Sequence, residues 1–336
     1  MKQKILVCRA LFPVVIERLA QYFEVDYHDR DAPLEPADLA ARLADKDGAI
    51  TLLSDRIDEA TIAAASRLRV VSNVAVGYNN FDLAALARAG VSATHTPGVL
   101  DETTADTAWA LIFASARRIV SADRWLRAGN WQGWQFHDPW LGNDVHHATL
   151  GILGMGRIGQ AVARRAAGFS MPVIYHNRQR LAVADEAACK ASWVDKETLL
   201  RNADFLVLLV PYSAATHHCI GSKELALMKP QASLINVARG GIVDDAALIE
   251  ALQQRQIAGA ALDVFENEPA LDACFLTLDN VVLTPHIGSS SAATRLAMAQ
   301  RAADNLIDAL HGRRPPNLLN PEVWAARQLM TKEIVR

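Results

Sequence analysis

The sequence has little of what marks a secreted, membrane-spanning or nucleic-acid-binding protein. Its four cysteines among 336 residues form no Cys-x-x-Cys pair, which argues against a disulfide framework or a zinc site. No apolar run is long enough to cross a bilayer, and charged residues interrupt the N-terminus before a secretory segment could form. The formal net charge of −3 provides no basic surface for nucleic acid or an anionic membrane. We therefore expect a globular cytoplasmic protein without nucleic-acid or membrane partners.

The histidines also provide no obvious metal site. The pairs His146-His147 and His217-His218 have no acidic or cysteine partner at the spacing of metal ligands. We interpret them as ordinary polar residues and expect no bound metal.

What the sequence does have is an alternation of short apolar runs with helical patterns. Three strand candidates, at 5–7, 49–53 and 70–74, precede a helix that Gly90 should end. Six more follow, at 149–153, 173–175, 205–209, 233–235, 260–262 and 281–283. A helical stretch over 101–128 and a tryptophan-rich segment separate the two series. This rhythm predicts an α/β protein with two doubly wound parallel sheets, the first flavodoxin-like and the second a Rossmann sheet.

The last helical pattern determines the expected domain boundaries. Apolar residues recur at helical spacing after Arg295, and we expect this helix to fold back on the first sheet. The prediction is a discontinuous first domain, built from residues 1–98 and 292–336, and a second domain over residues 99–291.

A glycine-rich loop lies at the start of the second series. Gly154-Met155-Gly156-Arg157-Ile158-Gly159 follows a strand candidate and begins a helix. In this pattern the first glycine permits a tight turn, the second lets a pyrophosphate approach the backbone, and the third packs the helix on the strand. The loop therefore predicts that the second domain binds a dinucleotide. A methyltransferase-like nucleotide fold and a purely structural turn are the alternatives.

The end of the next strand candidate indicates which dinucleotide. The acidic residue that would bind the ribose 2′-hydroxyl of NAD is missing there, and the chain has Asn177, Arg178 and Arg180 instead. No carboxylate repels a 2′-phosphate at this point, and the two arginines can pair with one. The segment favours NADP(H) over NAD(H), with a solvated basic loop as the alternative.

Polar motifs follow the last three strand candidates. They are Arg239-Gly240, Glu268-Pro269 and the run Pro285-His286-Ile287-Gly288. The carboxyl ends of parallel strands share the edge where open α/β sheets bind ligands. With these motifs, and with the glycine loop in the middle of the chain, the sequence resembles the D-isomer-specific 2-hydroxyacid dehydrogenases over essentially its whole length. Within that family it is most similar to bacterial glyoxylate/hydroxypyruvate reductases that also act on 2-ketogluconate.

The resemblance implies reduction of small 2-keto acids to D-2-hydroxy acids with hydride from NADPH. It assigns Arg239 to the substrate carboxylate and carbonyl oxygen, His286 to proton donation, and Glu268 to pairing with His286. The neighbouring Glu266 is rejected because the family motif is Glu-Pro. An arginine can hold an α-keto acid by charge-assisted hydrogen bonds, and a carboxylate beside an imidazole favours its protonated form. That proton quenches the alkoxide character created by hydride transfer.

The resemblance also implies the surrounding contacts. In the loop 73–80, backbone N–H groups around Val76 and Gly77 would bind the substrate carboxylate, so the first domain would be the substrate-binding one. Trp140 would either reach the partner subunit's active site or pack within a dimer. The remaining implied cofactor contacts are Val210, Pro211, Thr216, Val237, Ala238, Asp263, His286 and Gly288.

Rival activities of the same fold lack their marker residues. A phosphite dehydrogenase would carry lysine where Val76 stands, and a formate dehydrogenase would carry glutamine in place of Glu268. A dinucleotide-sensing corepressor would have additional interaction segments, and no disordered extension is evident. The apolar helix after Asp101 and the tryptophan-rich segment beyond it predict a two-fold homodimer joined through the cofactor domains.

Overall fold

The structure consists of short parallel strands that alternate with helices. The computed structural model describes residues 2–326 of the chain. The strands are β1 (Lys4–Val7), β2 (Glu24–Tyr27), β3 (Gly48–Thr51), β4 (Val70–Asn73), β5 (Ser92–Thr94), β6 (Leu150–Leu153), β7 (Val173–His176), β8 (Ala191–Trp193), β9 (Phe205–Leu208), β10 (Ser233–Asn236), β11 (Gly259–Leu262) and β12 (Val281–Leu283). The helices are α1 (Pro13–Tyr22), α2 (Pro36–Leu43), α3 (Glu59–Ala63), α4 (Leu83–Arg88), α5 (Asp101–Ala116), α6 (Ile119–Arg127), α7 (Arg157–Ala166), α8 (Val183–Cys189), α9 (Lys196–Asn202), α10 (Ser222–Leu225), α11 (Asp245–Gln253) and α12 (Ala292–Leu310). Two 3-10 helices cover Ala167–Phe169 and Ala273–Thr277.

The chain forms two compact units. Among the described residues, one unit comprises residues 2–100 and 291–326, and the other comprises Asp101–Ser290. Each unit has its own parallel sheet, so the prediction of two parallel-sheet α/β domains is confirmed.

In the first unit the strand order is β2-β1-β3-β4-β5, which is the flavodoxin order. The returning helix α12 packs on β3 and β4. Ser72 on β4 donates its hydroxyl to the Ala302 carbonyl at 2.8 Å. Gly48 on β3 leaves room for the helix, since a Cβ there would lie 2.9 Å from the Leu306 side chain. Helix α12 therefore completes the core of a unit whose strands, at residues 4–94, all precede the second unit in the chain.

In the second unit the described strands follow the order β12-β11-β10-β9-β6-β7-β8. The six expected strands are present. The Rossmann order 3-2-1-4-5-6 runs from β8 to β11, and β12 extends the sheet by one further strand. The unpredicted strand of this unit is β8 at the edge of the sheet, and in the first unit the edge strands β2 and β5 were likewise not predicted. Strand β8 has three residues, too few to show an apolar period, and it pairs with β7 alone among the described strands.

The helical stretch expected over 101–128 is two helices. Helix α5 ends at Ala116 and α6 begins at Ile119, because Arg118 adopts a left-handed backbone with φ of 50°. Its guanidinium lies 5.1 Å from the centre of the Trp140 ring and donates to the Pro139 carbonyl at 3.3 Å. The break directs the arginine side chain onto the tryptophan-rich segment.

Two negative findings hold for residues 2–326. None of their helices combines the length and the apolar character that a membrane crossing requires. No three His, Cys, Asp or Glu side chains among them gather as a metal-binding group.

Candidate active site

The sequence motifs come together at one edge of the second sheet. Strands β10, β11 and β12 are neighbours, and the loops carrying Arg239, Glu268 and His286 follow their carboxyl ends. The glycine loop follows β6 at the same edge, since every strand pair in this sheet is parallel. This is the edge at which open α/β sheets bind ligands.

His286 and Glu268 form a hydrogen-bonded pair. His286 Nδ1 lies 2.9 Å from Glu268 Oε2, and the other carboxylate oxygen accepts the Phe265 N–H at 2.8 Å. Burial by itself would raise the pKa of the Glu268 carboxyl. The hydrogen bond from His286, the charges of His286 and Arg239, and the Phe265 N–H together hold that pKa below its usual value. Glu268 is therefore an ionised partner that fixes the orientation of the His286 ring through Nδ1. Nε2 makes no hydrogen bond within residues 2–326, so it is the ring nitrogen available to a ligand.

Arg239 lies on a loop that packs tightly against the Glu268 loop. A Cβ on Gly240 would lie 1.7 Å from the Phe265 carbonyl oxygen, so no side chain fits there. Asn236 shapes the loop by donating its amide to the Arg239 carbonyl at 3.0 Å and accepting the Ala238 N–H at 3.1 Å. Burial lowers the pKa of the Arg239 guanidinium, and the Glu268 carboxylate opposes that shift. The arginine is thus a half-buried cation beside the Glu268–His286 pair.

Asp263 accepts several hydrogen bonds that the sequence did not indicate. Its carboxylate is 1% exposed and accepts the Thr284 hydroxyl at 2.6 Å, the Ile287 N–H at 2.8 Å and the Gly288 N–H at 2.8 Å. These donors flank His286 on both sides, and the His286 backbone has a left-handed φ of 54°. Asp263 therefore holds the loop that presents His286, whatever contact it makes with a cofactor.

The glycine loop fits a dinucleotide. Gly154 has a φ of 106°, and a Cβ there would lie 2.6 Å from the Val210 nitrogen, while a Cβ on Gly159 would lie 2.4 Å from the Gly154 carbonyl oxygen. A Cβ on Gly156, in contrast, would meet nothing within 4 Å. Gly156 is the N-cap of α7 and provides no capping side chain, so the first N–H groups of the helix can donate to a phosphate. The first and third glycines are needed for packing, and the second borders open space.

The end of β7 shows how the three candidate 2′-phosphate residues are placed. Asn177 accepts the Met155 N–H through Oδ1 at 2.7 Å, which ties it to the glycine loop. Arg178 is exposed and has no ion-pair partner within residues 2–326. Arg180 makes a two-pronged ion pair with Glu186, at 2.8 and 2.7 Å, and Tyr175 donates to the same carboxylate. Arg180 is thus engaged with Glu186, and Asn177 and Arg178 are the side chains available to a ligand.

Other predicted cofactor contacts follow the ends of the central strands. Val210 and Pro211 come directly after β9, and Val237 and Ala238 directly after β10. Thr216 closes its own loop, because its hydroxyl donates to the Pro211 carbonyl at 2.7 Å and accepts the Ser213 N–H at 2.8 Å. Their role as cofactor contacts stays a prediction.

The loop 73–80 of the first unit is held by its carbonyl groups. Asn73 donates to the Gly77 carbonyl at 3.0 Å and to the Asn80 side chain at 3.1 Å, and His95 donates to the Val76 carbonyl at 2.9 Å. The N–H groups of Val76 and Gly77 make no hydrogen bond within residues 2–326. Unpaired N–H groups on a fixed loop are what carboxylate binding requires, and the role of this loop stays a prediction.

Trp140 is held by its neighbours in the second unit. Beside Arg118 it also contacts Trp125 edge to face, with ring centres 6.0 Å apart. Its indole N–H is buried and finds no acceptor within residues 2–326. Whether Trp140 reaches a partner's active site stays a prediction.

Sequence reasoning missed a side-chain pair that joins the loop after β9 to the loop carrying Glu268. His218, interpreted above as an ordinary polar residue, forms a close hydrogen-bonded pair with Glu266, the glutamate rejected in favour of Glu268. The two residues lie 48 positions apart, so no local pattern could have linked them.

The sequence profile described as D-isomer specific 2-hydroxyacid dehydrogenase, NAD binding domain, matches residues 109–288. The chain belongs to the D-isomer specific 2-hydroxyacid dehydrogenase family. It is therefore an oxidoreductase with an NAD-binding domain, as the motifs indicated.

Members of the family resemble this D-2-hydroxyacid dehydrogenase along its length. A glyoxylate reductase of Thermococcus gammatolerans is 46% identical over 326 residues, covering 96% of this chain and 97% of the relative. The glyoxylate reductase of Pyrococcus furiosus is 44% identical over 331 residues, covering 98% of each. Among solved structures, an NADPH-dependent glyoxylate/hydroxypyruvate reductase of Sinorhizobium meliloti, in complex with NADP and malonate, superposes with a TM-score of 0.85. It is 34% identical and covers 95% of this chain and 97% of that one.

Proposed function

We propose that this dehydrogenase reduces small 2-keto acids to D-2-hydroxy acids with NADPH, glyoxylate and hydroxypyruvate being the first candidates and 2-ketogluconate a larger one. The observation that carries the proposal is the Glu268–His286 pair, at 2.9 Å, beside Arg239 at the ligand-binding edge of a Rossmann sheet. The relatives named glyoxylate reductase, 44–46% identical over nearly their whole length, support the substrate class.

The proposed chemistry divides between three side chains. Arg239 binds the carboxylate and carbonyl oxygen of the keto acid and stabilises the negative charge that develops on that oxygen. A nicotinamide cofactor bound at the glycine loop would supply the hydride from its C4. His286 donates the proton from Nε2 to the new alkoxide, so that a keto acid, a hydride and a proton give the hydroxy acid. Glu268 stabilises the imidazolium until the proton leaves and keeps Nδ1 from facing the substrate.

The proposal of NADP(H), with NAD(H) as the alternative, depends on Asn177 and Arg178. Because Asn177 Oδ1 already accepts the Met155 N–H, its amide NH₂ is the part that can donate to a 2′-phosphate. Arg178 adds an exposed guanidinium at the same strand end. Position 177 holds an asparagine and not an acidic residue, so no carboxylate there repels the phosphate. The pairing of Arg180 with Glu186 makes Arg180 a support for the loop in this proposal.

We also propose a homodimer joined through the second unit. Large apolar side chains between α6 and β6 are exposed in the single chain, with Trp134 at 80%, Phe136 at 73% and Leu141 at 65%. Clustered exposed aromatic residues of this kind mark contact surfaces. A second copy of the chain would cover them by two-fold symmetry.

The test is a kcat/KM panel with glyoxylate, hydroxypyruvate, pyruvate and 2-ketogluconate, each with NADPH and NADH. We expect the highest values for glyoxylate or hydroxypyruvate with NADPH, and D-glycerate as the product from hydroxypyruvate. Absence of turnover with all four acids would refute the substrate class, and higher values with NADH would refute the cofactor choice.

A further inference from the structure

Glu266, the acidic neighbour of the proposed catalytic glutamate, has a partner that the chemistry above does not use. Its Oε1 pairs with Nε2 of His218, in the loop between β9 and α10. The two side chains are 28% and 36% exposed, so the pair is partly shielded from solvent. A shielded pair between two loops can fix their separation, whereas a fully exposed one contributes little.

His218 is also fixed to the loop that follows Arg239. Its N–H donates to the Gly241 carbonyl at 2.7 Å, and its Nδ1 lies 3.9 Å from Asp244 Oδ2. Two residues on, Ile220 donates to the Ile242 carbonyl at 3.1 Å and accepts the Asp244 N–H at 2.9 Å. The His218 segment therefore runs alongside the Arg239 loop and is bonded to it at several points.

Glu266 is fixed to the loop that carries Glu268. Its neighbour Phe265 donates its N–H to Glu268 Oε1 at 2.8 Å, and the Phe265 carbonyl is the group that lies against Gly240. The Glu266 N–H donates to Asp245 Oδ2 at 3.1 Å. A shift of Glu266 would move Phe265, and with it the N–H that orients Glu268.

Glu266 lies near other carboxylates, and its histidine partner lies between it and Asp244. The Asp245 carboxyl is buried, and this burial, with the charges of Glu266, Asp244 and Asp272, raises its pKa to about 6. His218 is the basic side chain in contact with Glu266 and Asp244. Without it, the carboxylates would face one another across the two loops and repel.

We propose that His218 is a positioning residue, and that the His218–Glu266 pair clasps the Arg239 loop to the Glu268 loop. This inference rests on the proposed function of Arg239, Glu268 and His286. The clasp sets the spacing between the arginine that binds the keto acid and the carboxylate that orients His286. Loss of the clasp therefore weakens both substrate binding and proton donation, without touching the glycine loop that binds the cofactor.

The experiment measures kcat and both KM values of the full-length enzyme with glyoxylate and NADPH. For His218→Ala we expect a lower kcat and a higher KM for glyoxylate. The value of kcat/KM for glyoxylate should fall by roughly ten- to a hundredfold, which is the effect of a small misplacement of catalytic groups. The KM for NADPH should stay unchanged. His218→Gln retains a donor near the Nε2 position and should recover most of the loss. The matched control is His217→Ala, since His217 stacks on His218 but hydrogen-bonds to Tyr212 and does not pair with Glu266.

A double variant separates a clasp from a general loss of stability. Because the pair acts as a unit, His218→Ala with Glu266→Gln should lose no more kcat/KM than the more damaging single change. Additive losses, or a lower Tm with unchanged kcat and KM, would overturn the clasp. If His218→Ala has the kcat and KM values of the unmodified enzyme, the clasp alone is overturned. If the unmodified enzyme itself shows no turnover, the proposed function is overturned as well.

Discussion

Replacing Asp263 by asparagine tests whether one buried carboxylate holds the loop that presents His286. Three donors point at this carboxylate: the Thr284 hydroxyl and the Ile287 N–H at Oδ1, and the Gly288 N–H at Oδ2. Asparagine is nearly the same size but offers one oxygen and one NH₂ group. In its better orientation the oxygen keeps the two donors at Oδ1, and the NH₂ faces the Gly288 N–H.

The magnitude follows from these contacts. The substitution leaves one buried donor without an acceptor, at about 1–3 kcal/mol, and removes the charge that strengthened the other two hydrogen bonds. Together these effects should destabilise the enzyme by about 2–4 kcal/mol. For a unit of this size, that corresponds to a fall in Tm of roughly 4–15 °C. Loosening of the loop should also misplace His286 and lower kcat by about ten- to a hundredfold.

The assay is thermal unfolding followed by circular dichroism, with kcat measured well below the transition. Asp195→Asn is the matched control, because Asp195 is an N-cap on α9 that accepts the Thr198 N–H at 2.8 Å. Asparagine caps helices as well as aspartate does, so the control should stay near wild type. A Tm and a kcat for Asp263→Asn equal to those of the control would show that the carboxylate does not hold the loop.

Four further predictions address the proposed site and assembly. His286→Asn should bind NADPH normally and lose about 10²–10⁴ in kcat, as expected for a lost acid; near-normal turnover would remove His286 from the mechanism. Arg239→Lys keeps the charge but loses the two-pronged geometry, so the KM for the keto acid should rise sharply, and a rise in the cofactor KM alone would place Arg239 in the wrong site. Asn177→Asp with Arg178→Ala should reverse a preference for NADPH of roughly ten- to a hundredfold, measured as kcat/KM, and retention of that preference would show that these residues do not read the phosphate. In solution at micromolar concentration the enzyme should have the mass of a dimer by light scattering, and a monomeric mass would contradict the proposed interface.

Features that depend on neighbouring residues were accessible from the sequence. The glycine loop, the apolar runs of nine of the twelve described strands and the motifs after β10, β11 and β12 are local, and parallel topology then places the strand ends of a sheet at one edge. The edge strands β2, β5 and β8 were not predicted. The contact between His286 and Glu268 therefore follows once the strands are paired, although the residues are 18 positions apart. Helix α4 likewise ends before Gly90, whose φ is 67°.

Features that depend on the orientation of long side chains could not be predicted from the sequence. Asn177 and Arg180 both looked suited to a phosphate, yet Asn177 also binds Met155 and Arg180 pairs with Glu186. The choice between solvent, ligand and protein partner is set by packing, and a sequence window does not contain it. The same holds for Asp263, which bonds to backbone groups more than 20 positions away.

The discontinuity of the first unit has a consequence for synthesis on the ribosome. Strands β3 and β4 emerge early, but the helix that covers them, α12, begins at Ala292, after the whole of Asp101–Ser290. At about 5–20 residues per second, the ribosome needs on the order of 10–40 s to make the intervening segment. During that interval the apolar surface around Val70, which later packs under Leu306, has no cover. The second unit can complete its core first, so the N-terminal unit finishes folding last.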